Sequence, residues 1–379
     1  MNQMRSSEFG HLRSESFGGQ GLRLPSGASA QEGNADCGLR NENKRNKNFM
    51  NRTPGLGILA AFLLTILVSW FCSRGDYSGP VESITLGYTP SEAGGLLYIA
   101  EDRSFFTANG VKIIHKYYNT GVEAMEGLLK GEVEIAGMNE VPFILRVFEK
   151  QKISIYASLD KLQYIYLIGR KDRGIKTAAD LKGKRIGLPR GTIAEFYLGR
   201  YLELNGLRVK DVALVNTAPP SAMEAINSNL DGVVVWNPFA YQIKQQTANR
   251  ITTLQVQSNQ PAYAVAVARN DWLAAQKERI KRSLKAIAQA EQYVVNYPSE
   301  ARAIVQKRLN CEAAFMESVW AENQFSLSLD QSLITAMEDE ARWMIKNNLT
   351  TEKTVPDFVK YIYPDCLKAI KPEAVNMIR

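Results

Sequence analysis

The sequence predicts an α/β protein built from two similar lobes, and three observations lead to this fold class. From Val81 onward, short strand-like runs alternate with helical runs, as in parallel sheets that are covered on both faces by helices. The same order of elements recurs after 96 to 98 residues. Two further strand-like runs are placed where the chain would pass between the lobes. A length of 379 residues suits two such units.

The elements of the first lobe follow from their hydrophobic periods. Residues 84–88, 112–117 and 133–137 are short strand-like runs. Residues 95–106 have the apolar spacing of a helix, and a further helix begins after residue 121. This lobe therefore contains at least three strands with helices between them.

The second lobe repeats that order. Its strands are predicted at 185–188, 212–215 and 232–235, with a helix at 192–205. Asn109-Gly110-Val111 recurs as Asn205-Gly206-Leu207 at an offset of 96, and Asn119-Thr120 recurs as Asn216-Thr217 at 97. Such a period is too long for a solenoid repeat and indicates two lobes that each bury a sheet.

Two strands are expected to join the lobes. Residues 164–169 lead out of the first lobe, and residues 263–268 lead out of the second. A long helix follows at 272–296, and residues 299–379 are predicted as helices that return to the first lobe. We therefore assign residues 82–168 and 263–379 to lobe one and 169–262 to lobe two. Two crossings form a hinge beside a cleft.

The N-terminal region is predicted to be a targeting segment. Residues 1–52 form a polar tail without an apolar period, and its first 49 residues are explained by a start codon at Met50. Residues 53–73 are an uncharged apolar run behind a basic flank, which places the rest of the chain outside the cytoplasm. Three outcomes stay open: a retained anchor, cleavage as a signal sequence, or lipidation at Cys72, although Phe71 is bulkier than usual lipoprotein sites allow.

The loops at the carboxyl ends of the strands are the expected ligand site, because ligands bind there in open α/β sheets. Their polar residues and helix N-termini suit an anionic group, Arg190 adds a forked donor, Trp236 adds a flat wall, and Glu140 suits a cationic end. The candidate residues are Thr89, Ser91, Asn119, Thr120, Asn139, Glu140, Arg190, Gly191, Thr192, Asn216, Trp236 and Asn237.

Catalysis is not predicted. The chain has two histidines, of which His11 lies in the tail and His115 lies in a strand without an acidic partner nearby in sequence. No nucleophile, zinc-protease or phosphate-binding motif follows a strand. No metal or other cofactor is expected, and a net charge of +7 that lies partly in the tail does not call for nucleic acid. Cys311 and Cys366 are either paired or free.

Several segments resemble a known family. Leu97 to Phe106, Gly131 to Gly137 and Asp231 to Pro238 are similar to periplasmic solute-binding proteins of ABC importers, in the class that handles nitrate, taurine, aliphatic sulfonates and thiamine-pyrimidine precursors. Residues 180–187 are similar to that family's entrance to lobe two. The resemblance covers roughly residues 81 to 310.

The resemblance implies a type II periplasmic binding protein fold, with two doubly wound lobes on a two-strand hinge. It also implies a monomer without catalysis, outside the cytoplasm, that presents a small solute to an ABC permease and its ATPase. Two alternatives stay open: a membrane-anchored sensor with this fold, and an enzyme of this fold similar to menaquinone-pathway dehydratases. The family's motifs do not name the solute.

Overall fold

The computed structural model describes residues 77–257 and 260–378 of the chain. The N-terminal tail, the apolar run at 53–73 and Cys72 lie outside these residues. The strands are β1 (Glu82–Tyr88), β2 (Val111–Tyr117), β3 (Ile135–Met138), β4 (Ile153–Leu162), β5 (Tyr166–Arg170), β6 (Arg185–Leu188), β7 (Ala213–Asn216), β8 (Gly232–Val235), β9 (Ile251–Gln255), β10 (Ala262–Arg269) and β11 (Asn323–Ser328).

The helices alternate with these strands, and short 3-10 turns join several of them. They are α1 (Gly95–Asp102), α2 (Phe105–Ala108), α3 (Gly121–Leu129), α4 (Glu140–Phe148), α5 (Ile193–Leu204), α6 (Ala222–Ser228), α7 (Phe239–Thr247), α8 (Asn270–Ala275), α9 (Lys277–Asn296), α10 (Pro298–Leu309), α11 (Ala313–Trp320), α12 (Gln331–Lys346) and α13 (Asp365–Ile370).

Two sheets define the two lobes, which confirms the predicted fold class. The first sheet has the strand order β11-β4-β10-β3-β1-β2, and the second has β7-β6-β8-β5-β9. Both sheets are mixed, whereas the sequence pattern predicts parallel ones. In each, the three strands of the repeat are parallel, and the strand that enters from the other lobe is antiparallel to its neighbours.

The internal repeat is visible in the sheet registers. Gly87 lies opposite Lys116 across β1 and β2, and Gly187 lies opposite Val215 across β6 and β7. The ends of the matching strands give the spacing at this place: Tyr88 and Leu188 are 100 positions apart, and Tyr117 and Asn216 are 99 apart. The match of the two Asn-Thr pairs at an offset of 97 is thus two residues out of register.

Three helical or C-terminal predictions differ from the structure. The helix predicted at 95–106 is two helices, because Ser104 adopts a left-handed conformation with φ 58°. The helix predicted at 272–296 is broken at Gln276 into α8 and α9. The C-terminal region contains the strand β11, which pairs with β4 at the edge of the first sheet.

The long helix α9 covers the first sheet with one apolar face. Ile280, Leu284 and Ile287 lie at helical spacing and are buried, while Lys285 on the same helix is exposed. Cys366 of α13 is buried, and both Cys366 and Cys311 are free thiols. In the described part of the chain, no helix combines the length and apolar character that crossing a membrane requires.

The chain crosses between the sheets twice, at residues 163–165 and again between β9 and β10. The buried side chain of Gln257 connects the two crossings. Its Oε1 accepts from the backbone N–H groups of Tyr164 and Ile165 at 2.9 and 3.3 Å, and its Nε2 donates to the Leu162 carbonyl at 2.6 Å. The predicted lobe borders at 168/169 and 262/263 differ from these points, since β5 lies wholly in the second sheet.

A second contact between the lobes lies on helices α5 and α12. The ring of Trp343 packs at 5.5 Å and nearly perpendicular to Phe196. It also covers Gly199 so closely that a Cβ there would lie 2.1 Å from the indole. Lys346 and Glu203 form an ion pair of 3.1 Å beside it. Helix α12 of the first lobe therefore packs against helix α5 of the second lobe.

We expect Gln257→Ala to destabilise the protein by about 3 kcal/mol, because three buried backbone groups would lose their partner. Urea unfolding followed by circular dichroism measures this. Gln255→Ala is the matched control: Gln255 is exposed two residues earlier and should change stability by less than about 0.5 kcal/mol. Equal effects of the two substitutions would contradict the assigned role of Gln257.

Candidate functional site

A cavity of about 1170 Å³, including its open mouth, lies at the carboxyl ends of the strands. Five of the predicted residues line it: Thr89, Ser91, Asn139, Thr192 and Trp236. The first three follow β1 and β3 of the first lobe, and the last two precede α5 and follow β8 of the second lobe. The structure thus brings together predicted loops from both lobes.

The first lobe presents hydroxyl groups at the end of β1. The Thr89 Oγ1 atom is buried, and it has no hydrogen-bond partner among the described residues. Ser91 is buried at the start of a short 3-10 turn, and its side chain makes no cap to that turn. Both hydroxyl-bearing residues therefore belong to the cavity lining.

The hinge fixes the third polar group of the first lobe. Asn139 Nδ2 donates to the Tyr263 carbonyl at 3.1 Å, and its Oδ1 accepts from the Tyr164 hydroxyl at 2.7 Å. Tyr164 lies in the first crossing, and Tyr263 follows the second. Asn139 is therefore held in one orientation by the segments that connect the lobes.

The second lobe contributes Thr192 and Trp236. Thr192 precedes α5, and its hydroxyl donates to the Pro189 carbonyl at 2.7 Å instead of capping the helix. The adjacent Ile193 also lines the cavity, so the N-terminus of this 12-residue helix faces it. Trp236 is 6% exposed and forms one wall.

Two predicted loop residues of the first lobe cap a helix outside the cavity lining. Thr120 Oγ1 accepts from the Glu123 backbone N–H at 3.2 Å, while the exposed Asn119 donates its backbone N–H to the Glu123 carboxylate at 3.0 Å. Together these bonds begin α3. They leave the position of the neighbouring Gly121, which does line the cavity, well defined.

Glu140 is fully buried beneath the hinge and does not line the cavity. Its Oε1 accepts from the Tyr263 backbone N–H at 2.7 Å. Burial raises the pKa of Glu140 to about 8, so its neutral form is favoured. This position supports the hinge strand β10 and does not present a carboxylate to the cavity.

The remaining predicted residues of the second lobe form ion pairs or hydrogen bonds with other residues of the protein. Arg190 forms an ion pair of 2.8 Å with Glu195, and its backbone N–H donates to Asn216 Oδ1 at 3.0 Å. Gly191 has φ 70°, and its N–H donates to the Glu195 carboxylate at 2.8 Å. Asn237 is buried and donates to Glu322 at 3.1 Å. None of these four residues lines the cavity.

The cavity lining is uncharged in the described part of the chain. It contains neither arginine, lysine, histidine nor a carboxylate, and most of its side chains are apolar or aromatic. A bound anion would therefore be held by neutral donors and by the N-terminus of α5. A cationic group would find no carboxylate in the lining.

Glu322 connects the lobes beside the cavity. It belongs to the C-terminal part of the first lobe and accepts from the hydroxyl of Tyr166 as well as from Asn237, both in the second lobe. Lys244 lies over the Tyr166 ring, with its Nζ 3.7 Å from the centroid. Burial raises the pKa of Glu322. These contacts hold the loop after β8 against the first lobe.

Two buried carboxyl groups lie behind the first-lobe loops. Glu92 and Asp160 are 0% exposed, and neither has a hydrogen-bond partner for its side-chain oxygens among the described residues. Burial raises the pKa of Glu92 to about 7 and that of Asp160 well above its usual range. Glu92 directly follows Ser91, so the charge on its carboxyl group bears on this wall of the site.

His115 has an acidic partner, contrary to the expectation from the sequence. Its Nε2 lies 2.9 Å from Glu101, and its Nδ1 lies 3.2 Å from the Tyr88 hydroxyl. The bond from His115 lowers the pKa of Glu101, which also pairs with Arg308 at 3.1 Å. Tyr88 lines the cavity, so this chain of contacts fixes its ring from behind.

Most of the apolar part of the cavity lining was not predicted from the sequence. Leu97, Phe106 and Tyr164 line the cavity but were predicted only as parts of a helix or a strand. One signal was available: β10 alternates alanine and valine from Ala264 to Ala268, so one of its faces carries only small side chains. The sequence of helix α9, which also contributes to the lining, shows only the apolar period of an ordinary core helix.

Two α/β lobes that enclose a lined cleft define a solute-binding architecture of the periplasmic binding protein type. The comparison with protein families agrees with this: residues 94–301 match the family described as NMT1/THI5 like. That match spans more than half of the chain, and the chain therefore belongs to the NMT1/THI5-like family. The predicted resemblance is confirmed.

Curated relatives of the chain are named as binding proteins. A binding protein of Brucella abortus (strain 2308) is 24% identical over 261 residues, which are 65% of this chain and 78% of the relative. The taurine-binding periplasmic protein of Escherichia coli (strain K12) is 25% identical over 217 residues, which are 56% of this chain and 67% of the relative.

Solved structures show the same fold. The alkanesulfonate-binding protein SsuA from Xanthomonas axonopodis pv. citri, bound to MOPS, has a TM-score of 0.66 at 17% identity, over 76% of this chain and 100% of that one. The desulfurization enzyme DszB, in complex with biphenyl-2-sulfinic acid, has a TM-score of 0.56 at 17% identity, over 76% and 99%. The fold therefore occurs in both binding proteins and enzymes.

We expect the stability of the protein to fall as the pH rises from 4.5 to 7, in part because of Glu92. Its pKa is raised in the folded state, so the folded protein binds more protons than the unfolded chain within this window. Glu92→Gln removes that contribution. As the pH rises through this window, the free energy of unfolding of Glu92→Gln should increase relative to that of the wild type by up to about 1.4 kcal/mol per pH unit.

Urea unfolding at pH 5, 6 and 7 measures this difference. Glu224→Gln is the matched control, since Glu224 is an exposed glutamate in the first turn of α6. Parallel pH dependences of the wild type and Glu92→Gln would show that the Glu92 carboxyl group titrates normally.

Proposed function

We propose that this protein is the extracytoplasmic solute-binding component of an ABC importer. It captures a small solute with a polar or anionic head in the cleft between its lobes and delivers it to a membrane permease with its ATPase. The observation that carries the proposal is the cavity lined by loops from both lobes, in a chain whose relatives include taurine-binding and sulfonate-binding periplasmic proteins.

The head group is expected to bind to neutral donors. Thr89 and Ser91 offer hydroxyls from the first lobe, and the N-terminus of α5 after Thr192 offers backbone N–H groups from the second lobe. Oxygens of a sulfonate accept such bonds without a counter-charge in the lining. Trp236 supplies an apolar wall against which the rest of the solute packs. The side chain of Asn139, which its hydrogen bonds to the hinge hold in one orientation, offers a further donor or acceptor to the head group.

Closure of the lobes follows from this division of contacts. A solute that contacts both lobes binds the closed state more tightly than the open one and shifts the population toward it. Glu322 and the α5–α12 contact already hold the lobes together at two places. The closed state is the form that a permease would recognise.

We propose that the protein is a monomer without catalytic activity. The lining has neither a cysteine nor a histidine in the described part of the chain, so it offers no strong nucleophile or base at neutral pH. The curated relatives named above are binding proteins. We further propose that residues 53–73, or a lipid on Cys72, direct or tether the protein outside the cytoplasm.

A thermal-shift panel tests the proposal directly. The panel contains an alkanesulfonate, nitrate, taurine and a pyrimidine precursor of thiamine, and a ligand at 100 times its Kd stabilises the fold by about 2.7 kcal/mol. Native mass spectrometry of the protein purified from its own host identifies a retained solute. The proposal fails if neither method finds a small molecule that stabilises or accompanies the protein.

We expect Trp236→Ala to weaken binding of the panel ligand roughly tenfold or more, because it removes a buried wall. Arg190→Ala should change the affinity by less than about twofold, because Arg190 is paired with Glu195 outside the lining. Isothermal titration calorimetry measures both. The reverse ranking would place Arg190 in the site, as the sequence alone suggests.

A further inference from the structure

We propose that the solute is amphipathic, with an apolar tail that enters the first lobe between its sheet and the helices α1 and α9. This inference rests on the proposed function only for the polar head. It narrows the solute class: a compact zwitterion such as taurine leaves the inner part of the cavity empty, and its ammonium group would meet no carboxylate in the lining.

The cavity runs deep into the first lobe along its sheet. It is lined by Tyr88, at the end of β1, and again by Ile113 in β2. Ile113 lies opposite Ile84, four residues before Tyr88. At about 3.3 Å per residue this is a depth of roughly 13 Å. An aliphatic chain or an aromatic ring system fits such a depth.

A row of small residues makes this space. Ala266 in β10 lies between Gly137 of β3 and Ala157 of β4, and all three line the cavity. These strands are central in the sheet, where valine or isoleucine is the usual choice. The alanines of β10 alternate with valines, of which Val267 lies outside the cavity lining and Val265 lines it beside Met138. The small side chains thus leave space on the face toward the helices.

Large apolar side chains form the opposite wall. They are Leu97 of α1, Phe106 of α2, and Leu284 and Ile287 of α9. Leu86, which also lines the cavity, remains partly exposed although it lies in the middle of a central strand. Close packing normally removes such exposure, so a gap remains between sheet and helices. An apolar gap of this kind binds apolar molecules.

Most of the polar groups lie at the outer end of the cavity. Thr89, Ser91 and Thr192 are in the cleft, whereas the inner lining around Phe106 and Ile113 is apolar. Two hydroxyl-bearing side chains lie farther in, on Ser283 and Tyr156, and the Ser283 hydroxyl donates to the Ile280 carbonyl at 2.8 Å. The arrangement therefore orients a solute with its head toward the cleft and its tail inward.

Affinity should therefore rise with tail length. Burial of each methylene group contributes about fourfold in affinity. We would titrate ethane-, butane-, hexane- and octane-1-sulfonate by isothermal titration calorimetry, with 1-octanol as a probe that lacks the anionic head. The expected result is a steady gain from ethane- to octane-1-sulfonate and measurable binding of 1-octanol.

Two variants fill the inner cavity from different strands. Ala266→Leu and Leu86→Phe should each remove most of the gain with chain length while leaving ethane-1-sulfonate within about twofold. Val267→Ile is the matched control on the opposite face of β10 and should keep the chain-length series. Circular dichroism checks that each variant is folded. If only one of the two cavity-filling variants folds, that variant alone decides the test.

The outcomes separate this inference from the proposed function. If ethane-1-sulfonate binds but longer chains and 1-octanol bind no better, the tail site is wrong and the solute-binding role stands. If 1-octanol binds and Ala266→Leu weakens it while no sulfonate binds, the tail site stands and the sulfonate head is wrong. If none of the probes binds, the tail site is wrong, and the solute-binding role is decided by the other ligands of the thermal-shift panel. The tail site is also wrong if Ala266→Leu keeps the gain in affinity with chain length.

Discussion

The two lobes depend on one buried amide. Each crossing between the sheets interrupts the regular backbone pairing, which leaves N–H and carbonyl groups in the protein interior without strand partners. Gln257 satisfies such groups on the first crossing from its place on the second. Its Nε2 also lies 3.2 Å from the Tyr197 hydroxyl in α5. The hinge, the first helix of the second lobe and the cavity-lining Tyr164 therefore share a single anchor.

The cavity next to this anchor is lined by neutral groups. The charged residues near it are paired within the protein, as Arg190 is with Glu195, or are buried in a neutral form, as Glu92 is near pH 5. A lining without fixed charge avoids the large penalty of desolvating an ion when the lobes close. Selection of a solute then depends on the shape of the cavity and on a small number of hydroxyl and N–H donors.

The sequence predicted the fold well and the site in part. The repeat, the three parallel strands of each lobe and the loops with Ser91 and Trp236 follow from local patterns, because alternation and turn residues act over short distances. Long-range pairings could not be predicted: Glu101 with His115, or Gln257 with Tyr164, depend on register and on crossing points. Arg190 illustrates the limit, since its role was decided by Glu195, a helical residue five positions later.

The position of β10 has a consequence for the order of folding. This strand lies between β3 and β4 in the middle of the first sheet, yet it follows the entire second lobe in the chain. During synthesis the second lobe can complete its sheet from a continuous segment. In the first lobe, the edges of β3 and β4 stay unpaired until β10, more than ninety residues after β4, has been synthesised. The lobe that begins the chain is thus the last to become complete, and until then its edges are the part of the protein most exposed to misassembly.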